Sequence, residues 1–187
     1  MIINIRGTSG SGKTTVVKDA MQFFTPKVEV NIPKRRNPLG YWFGEVVDGK
    51  RKMAIPGHYA TACGGCDTLS GYDEIFNLVR LGGEGAQHVL FEGLLVSEES
   101  KRTLALHERF PSQVLVIELT TSQDECLASV QARREARGND KPLNPANTVN
   151  RMRTIRRVCD WLQEQGVAVE QHNRASAAAR VRELLHG

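Results

Sequence analysis

No apolar run in this 187-residue sequence approaches the ~20 residues needed to cross a bilayer, so no membrane-spanning helix is expected. Internal repeats, low-complexity tracts and inter-domain linkers are absent too, which leaves a single domain over residues 1–187. Cysteine is scarce. Of Cys63, Cys66, Cys126 and Cys159, only the first two are close in sequence, so reduced thiols in a cytoplasm are the expectation. The first residues run straight into a strand and a glycine-rich turn, so no signal peptide is expected. A large excess of one charge is also missing. Lys+Arg is 25 against 21 Asp+Glu, a net charge of +4, which fits an anionic partner such as a nucleotide or nucleic acid without requiring one.

What is present is an alternation of short apolar strands and amphipathic helices. Strands are expected at 2–6, 27–32, 88–93, 114–119 and 167–171. Helices are expected at 13–24, 72–85, 97–110, 121–138, 146–165 and 175–185, the last long one carrying Val149, Met152, Ile155, Val158, Cys159 and Leu162 at helical spacing. Residues 41–57 read as a β-hairpin turning at Asp48-Gly49, since both tolerate positive φ. This pattern predicts an α/β fold, a three-layer parallel sheet with helices on both faces. The hairpin would be an insertion into it.

One motif is specific. GTSGSGKT, Gly7 to Thr14, matches G-x-x-x-x-G-K-[ST] in full, with a strand before it and a helix after it. Gly7, Gly10 and Gly12 let the backbone point N–H groups inward, with Thr8, Ser9, Ser11 and Thr15 completing the cradle. The helix adds the positive end of its dipole. Lys13 should reach the β- and γ-phosphates of ATP, and the Thr14 hydroxyl should ligate Mg²⁺. Glu92, at the tip of "HVLFEG", is the second metal-side candidate, against the plainer reading of a surface ion-pair partner.

Switches, motors and kinases share this cradle. A basic segment at 133–157, with eight Lys/Arg against two Asp/Glu, favours a kinase with an arginine lid. An arginine swung in by a closing lid stabilises the charge spread over a transferring phosphoryl group. Arg133 and Arg137 are the candidates, while Arg153 and Arg156 are as readily a solvated helix face. Asp67, in "CGGCD", is the candidate general base for an alcohol acceptor. It is otherwise a helix cap, because Ser70 and Asp73 have capping-box spacing before the helix at 72. Cys63 and Cys66 can be read as half a zinc site, but no second pair has suitable spacing, and glycines letting a loop wrap a substrate are the better reading. Asn173 and Arg174, after the last strand, are candidates for closing over adenine, or an ordinary loop.

GTSGSGKT, the HVLFEG strand, the arginine-rich lid and the HNR loop together resemble the small P-loop nucleoside and nucleotide kinases, over most of the chain. That resemblance implies a P-loop kinase fold. Many members carry a catalytic Asp just after the second strand; here that place reads "NIPKRRN", which raises Asp67 and Glu92 as bases. More narrowly, GTSGSGKTT, "PGHYATACGGCDTLSGYDEIF" and "HVLFEGLLVS" resemble the bacteriophage 5-hydroxymethyluridine DNA kinases. This implies ATP-dependent phosphorylation of the 5-hydroxymethyl group within phage DNA, a step in thymidine hypermodification.

The acceptor region, about residues 33–70, is compatible with a DNA substrate. Lys34, Arg35 and Arg36, with Lys50, Arg51 and Lys52 on the hairpin turn, are candidates for tracking a DNA backbone. Tyr41, Trp42 and Phe43 are candidates for stacking on an extruded base, or for filling a core under the hairpin. Two other readings stay open: a kinase of free nucleotides or nucleosides, and a non-kinase P-loop switch or packaging factor.

Overall fold

The computed structural model describes residues 1–61, 64–139 and 143–186. The elements run β1 (Ile2–Arg6), α1 (Lys13–Ala20), β2 (Lys27–Glu29), β3 (Gly40–Phe43), β4 (Arg51–Pro56), α2 (Tyr72–Gly85), β5 (Ala86–Glu92), α3 (Leu94–Glu98), α4 (Lys101–Arg109), β6 (Val114–Leu119), α5 (Gln123–Glu135), α6 (Pro145–Glu164), β7 (Ala168–His172) and α7 (Arg174–His186). One seven-stranded sheet has the order β2-β3-β4-β5-β1-β6-β7. The five strands from β4 to β7 in that order are mutually parallel, while β3 is antiparallel to both β4 and β2.

The apolar runs IINIR, HVLFE and VLVIEL form the middle of the sheet because both their faces are covered. Alternate side chains point to opposite faces. Ile3, Ile5, Leu90, Leu115 and Ile117 pack beneath α1 and α7, with Val16, Val17, Ala177 and Val181. Ile2, Val89, Phe91, Val114 and Val116 pack beneath α2, α4 and α6, with Ile75, Val79, Leu106, Ile155 and Leu162. Three layers result. The loops that follow β1, β5, β6 and β7 gather at the carboxyl edge of the parallel strands, where such sheets bind ligands.

The β-hairpin is not an insertion standing off the sheet. Its second strand, β4, is part of the parallel block, and Met53 and Ile55 are fully buried. The expected turn is present: Asp48 and Gly49 have φ of 51° and 75°, and Val47 and Lys50 exchange backbone hydrogen bonds around them. However, β4 starts beside Ala86, at the amino end of β5. The turn therefore lies one β5 length, roughly 20 Å, from Glu92. Lys50, Arg51 and Lys52 stand away from the glycine loop.

The aromatic expectation is corrected as well. Tyr41 and Phe43 are buried at 4% and 0% exposure beneath the α1 face. Trp42, on the opposite face, packs partly buried against the α2 core. Burial of side chains this large stabilises the fold by about 1.5–3 kcal/mol each, so Tyr41 and Phe43 are held as core rather than presented to a base. The helix expected at 97–110 is broken at Glu99, whose backbone is extended. Its carboxylate accepts hydrogen bonds from the Arg102 and Thr103 amides, starting α4 anew.

Candidate active site

The glycine loop joins β1 to α1. Gly12 caps α1 in the left-handed conformation at φ 101°, and a side chain there would run into Arg174. Lys13 is buried and donates to the Gly7 and Thr8 carbonyls at 2.8 and 3.1 Å. Burial lowers its pKa, while Glu92 and Asp67 oppose that shift. Behind the loop, the Gly7 amide donates to Ser97 Oγ at 3.3 Å. The wholly buried Arg6 guanidinium reaches Asn4, the Ser97 carbonyl and Thr103, and burial brings its pKa down to about 10. This support was missed from sequence. Its one signal is an arginine closing an apolar strand directly before a glycine turn.

Glu92 ends β5 with 1% exposure, and its Oε1 accepts the Thr14 hydroxyl at 2.9 Å. Burial pushes its carboxyl up to about 7, with Lys13 and Thr14 pulling the other way. Gly65, at φ 78°, packs directly on Glu92, and a β-carbon there would strike both its carboxylate and its carbonyl. The glycines of "CGGCD" thus serve a close approach to the strand-end glutamate.

Asp67 lies beside them, exposed, on a 3-10 turn at Cys66–Thr68. Its carboxylate accepts the Leu94 and Leu95 amides at 2.8 and 3.1 Å. It is therefore a cap, but of α3 rather than of α2. The capping box expected at Ser70 and Asp73 is not formed; Gly71 precedes α2, and Glu74 takes the Ser70 amide. Capping uses one hydrogen bond per oxygen and leaves further lone pairs on each.

A cavity of ≈ 380 Å³ unites these groups. Lys13, Thr14, Asp67, Glu92, Arg133 and Arg174 line it, together with Ser9, Gly10, Gly12 and Thr15 of the loop. Arg133, on the last turn of α5, faces the cavity, whereas Arg137 lies beyond α5 and does not line it. Arg174 donates to the Gly10 carbonyl at 3.3 Å. Asn173 accepts the Ser176 amide at 2.9 Å, which starts α7, and does not line the cavity.

The second half of the expected lid, the start of α6, belongs to a helix packed on the sheet. Ile155, Cys159 and Leu162 bury α6 against the sheet, and Arg151 and Arg156 pair with Glu98 and Glu118 at 3.0 and 3.1 Å. Among the three acceptor-side cations, Lys34 and Arg36 are exposed. Arg35 is committed: it pairs with Glu74 at 2.7 Å and donates to the Thr68 carbonyl at 3.2 Å, tying the 33–39 loop to the Asp67 turn.

Among the described residues no group of three or more His, Cys, Asp or Glu is arranged to hold a metal ion. Cys63 lies outside the described residues, and Cys66 is a buried core thiol whose pKa burial raises. The Thr14–Glu92 oxygen pair fits Mg²⁺, as hard donors suited to an ion that takes its other positions from phosphate and water. No described helix is long and apolar enough to cross a membrane.

The fold and site define an α/β protein with a glycine-rich turn, a buried lysine and a buried carboxylate at the carboxyl edge of a mostly parallel sheet. No protein-family model matches the chain, and no solved structure does. Two curated phage proteins do. It is 40% identical over 186 residues to a 5-hmdU DNA kinase of Pseudomonas phage PaMx11, covering 98% of this chain and 96% of that one. It is 26% identical over 199 residues to a 5-hmdU DNA kinase of Delftia phage PhiW-14, covering 99% of this chain and 72% of that one. The chain belongs to the 5-hmdU DNA kinase family.

Proposed function

We propose that this protein is an ATP·Mg-dependent kinase of P-loop kinase fold. It transfers the γ-phosphoryl group to the 5-hydroxymethyl oxygen of 5-hydroxymethyluridine in DNA, in the cytoplasm of the infected cell. The observation that carries this is the cavity in which the buried lysine, the Thr14–Glu92 pair, Asp67 and two arginines face one space, in a chain 40% identical to a 5-hmdU DNA kinase.

Each residue has a role there. Lys13 exchanges the Gly7 and Thr8 carbonyls for phosphate oxygens, which are better partners for a buried ammonium. Thr14 and Glu92 hold magnesium, which when bound neutralises charge on the phosphates. Asp67 is the base that orients the acceptor hydroxyl and takes its proton, because it is exposed while the Glu92 carboxylate is buried and engaged by Thr14. Arg133 stabilises the transferring group, and Arg174 closes the donor side over the loop. Lys34 and Arg36 contact DNA phosphates. Their loop leads into Gly40, which pairs with Pro56 at the carboxyl end of β4, on the same edge as the cavity.

The test is to incubate the protein with γ-labelled ATP and either hydroxymethyluridine-containing DNA or the free modified nucleotide. Label on the DNA is expected. Label on the mononucleotide alone would overturn the reading in favour of a free-nucleotide kinase. Hydrolysis without label on either acceptor would favour a non-kinase nucleotide switch.

A further inference from the structure

The sheet ends at β2, and no strand among the described residues pairs with its outer side. All three of its residues are exposed, Val28 at 40%. An exposed strand edge is a template for another strand, and natural chains usually blunt it with a lysine or a covering loop. Here the loop after β2 is drawn elsewhere: Arg35 ties it to Glu74 of α2 and to the Thr68 carbonyl. At the opposite edge of the sheet, Glu170 of β7 is already engaged by Arg180 and His172 of its own chain.

The β2–β3 register decides which groups β2 presents. Lys27, Val28 and Glu29 lie opposite Phe43, Trp42 and Tyr41. The Val30 amide donates to the Gly40 carbonyl, and the Pro26 carbonyl accepts the Gly44 amide, so the even-numbered residues hold the hydrogen bonds to β3. An antiparallel ladder alternates, and the peptide groups of Lys27 and Glu29 therefore point out of the sheet edge. Side chains divide by face. Val28 shares the α2 face with Trp42, beside an apolar groove of ≈ 100 Å³ that Val30, Leu78 and Leu81 line. Leu81 is itself 42% exposed. Lys27 and Glu29 share the opposite face with Tyr41, whose ring the Lys27 ammonium overlies at 5.0 Å.

We infer that two copies of this chain join edge to edge through β2, antiparallel about a two-fold axis at Val28, as one continuous sheet. Inverting the strand on itself places Lys27 opposite Glu29 of the second copy, and Glu29 opposite its Lys27. These are the outward-facing residues, so each such pair exchanges two backbone hydrogen bonds. Each is also an opposite-charge pair directly across the ladder, which is favourable where like charges would repel. Val28 meets Val28 of the second copy on the axis, in the non-hydrogen-bonded position where side chains come closest. That contact removes exposed apolar surface from water. Hydrogen bonding, charge and apolar contact thus agree on one register, and a two-fold contact closes at two copies. An edge of three residues is small, so the association is weak and reversible. β2 runs parallel to β4, being two antiparallel steps from it. The carboxyl edges of the two copies therefore face opposite ways, and both active-site cavities stay open. None of this depends on the kinase reading.

The experiment is sedimentation equilibrium of the full chain over concentrations up to the millimolar range. A reversible monomer–dimer equilibrium is expected. Lys27→Glu and Glu29→Lys should each weaken it by roughly tenfold or more, since either change sets like charges opposite each other at both pairs. An equimolar mixture of these two variants should associate, and so should the double variant Lys27→Glu/Glu29→Lys, because both restore opposite charges at every pair. Their recovery also shows that the single variants fold. Glu29→Pro should abolish association, as it removes an outward amide that β3 does not use. A wild-type chain that stays monomeric throughout, or that grows beyond the dimer, would overturn the inference. So would single variants that associate like wild type, or a mixture and a double variant that both remain monomeric.

Discussion

The Thr14 hydroxyl donates to the Glu92 carboxylate across 2.9 Å, joining residues 78 positions apart in sequence. The bond couples the phosphate side of the cavity to the strand-end acid, and it sets how the site responds to pH. Folded Glu92 keeps its proton up to about pH 7, whereas an ordinary glutamate loses it near 4.5. Between those values the folded state binds more protons than the unfolded one, so stability falls as pH rises through that window.

Glu92→Gln removes this loss. In the ligand-free protein the variant should be more stable than wild type at pH 8, by up to about 3 kcal/mol at ~1.4 kcal/mol per pKa unit, and little different at pH 4. Thermal denaturation at the two pH values checks this. Phosphorylation should fall about 10²-fold or more in the same variant. Equal melting temperatures at pH 8 would show that burial does not hold the proton.

Asp67 has two tasks that substitutions separate. Asp67→Asn keeps an acceptor for one α3 amide and loses the base, so kcat should fall by about 10²–10⁴ with a stability loss under ~1 kcal/mol. Asp67→Ala should lose the same activity and a further ~1 kcal/mol, measured by urea denaturation. Full activity in Asp67→Asn would remove it as the base.

Arg133 lines the cavity and Arg137 does not. Arg133→Ala should lower kcat by about 10³ with little change in the KM for ATP, as loss of a transition-state contact requires. Arg137→Ala should stay within roughly tenfold. A reversed order would assign the transition-state contact to Arg137 instead.

Adjacent basic residues divide by their partners. Lys34→Ala and Arg36→Ala should each reduce the salt dependence of DNA binding by about one phosphate contact. Arg35→Ala should leave that slope unchanged. Its half-buried pair with Glu74 and its bond to Thr68 make it a structural tie, so its loss should cost about 1 kcal/mol of stability.

Legibility in the sequence followed the range of the interactions. The glycine loop and the Asp48-Gly49 turn are set by residues within a few positions of one another. Position in space was not legible in the same way. Nothing near Asp67 in sequence tells that it caps a helix 27 residues later, nor near Lys50 that its turn lies at the far edge of the sheet. Tyr41 and Phe43 read as base-stacking or as core until the sheet order put them beneath α1.

The sequence by itself determined the chemistry on offer: a lysine and a threonine on a glycine loop, acids at Asp67 and Glu92, and arginines near residue 133. It also determined the strand and helix alternation, because periodicity is a local property. The tertiary structure decided which of these groups share one cavity. It brought in Arg133 and Arg174 and left Arg137, Asn173 and the hairpin turn outside it. Those outcomes depend on strand order and on which face each side chain takes, and both are settled by burial across the whole sheet rather than by any one stretch of chain.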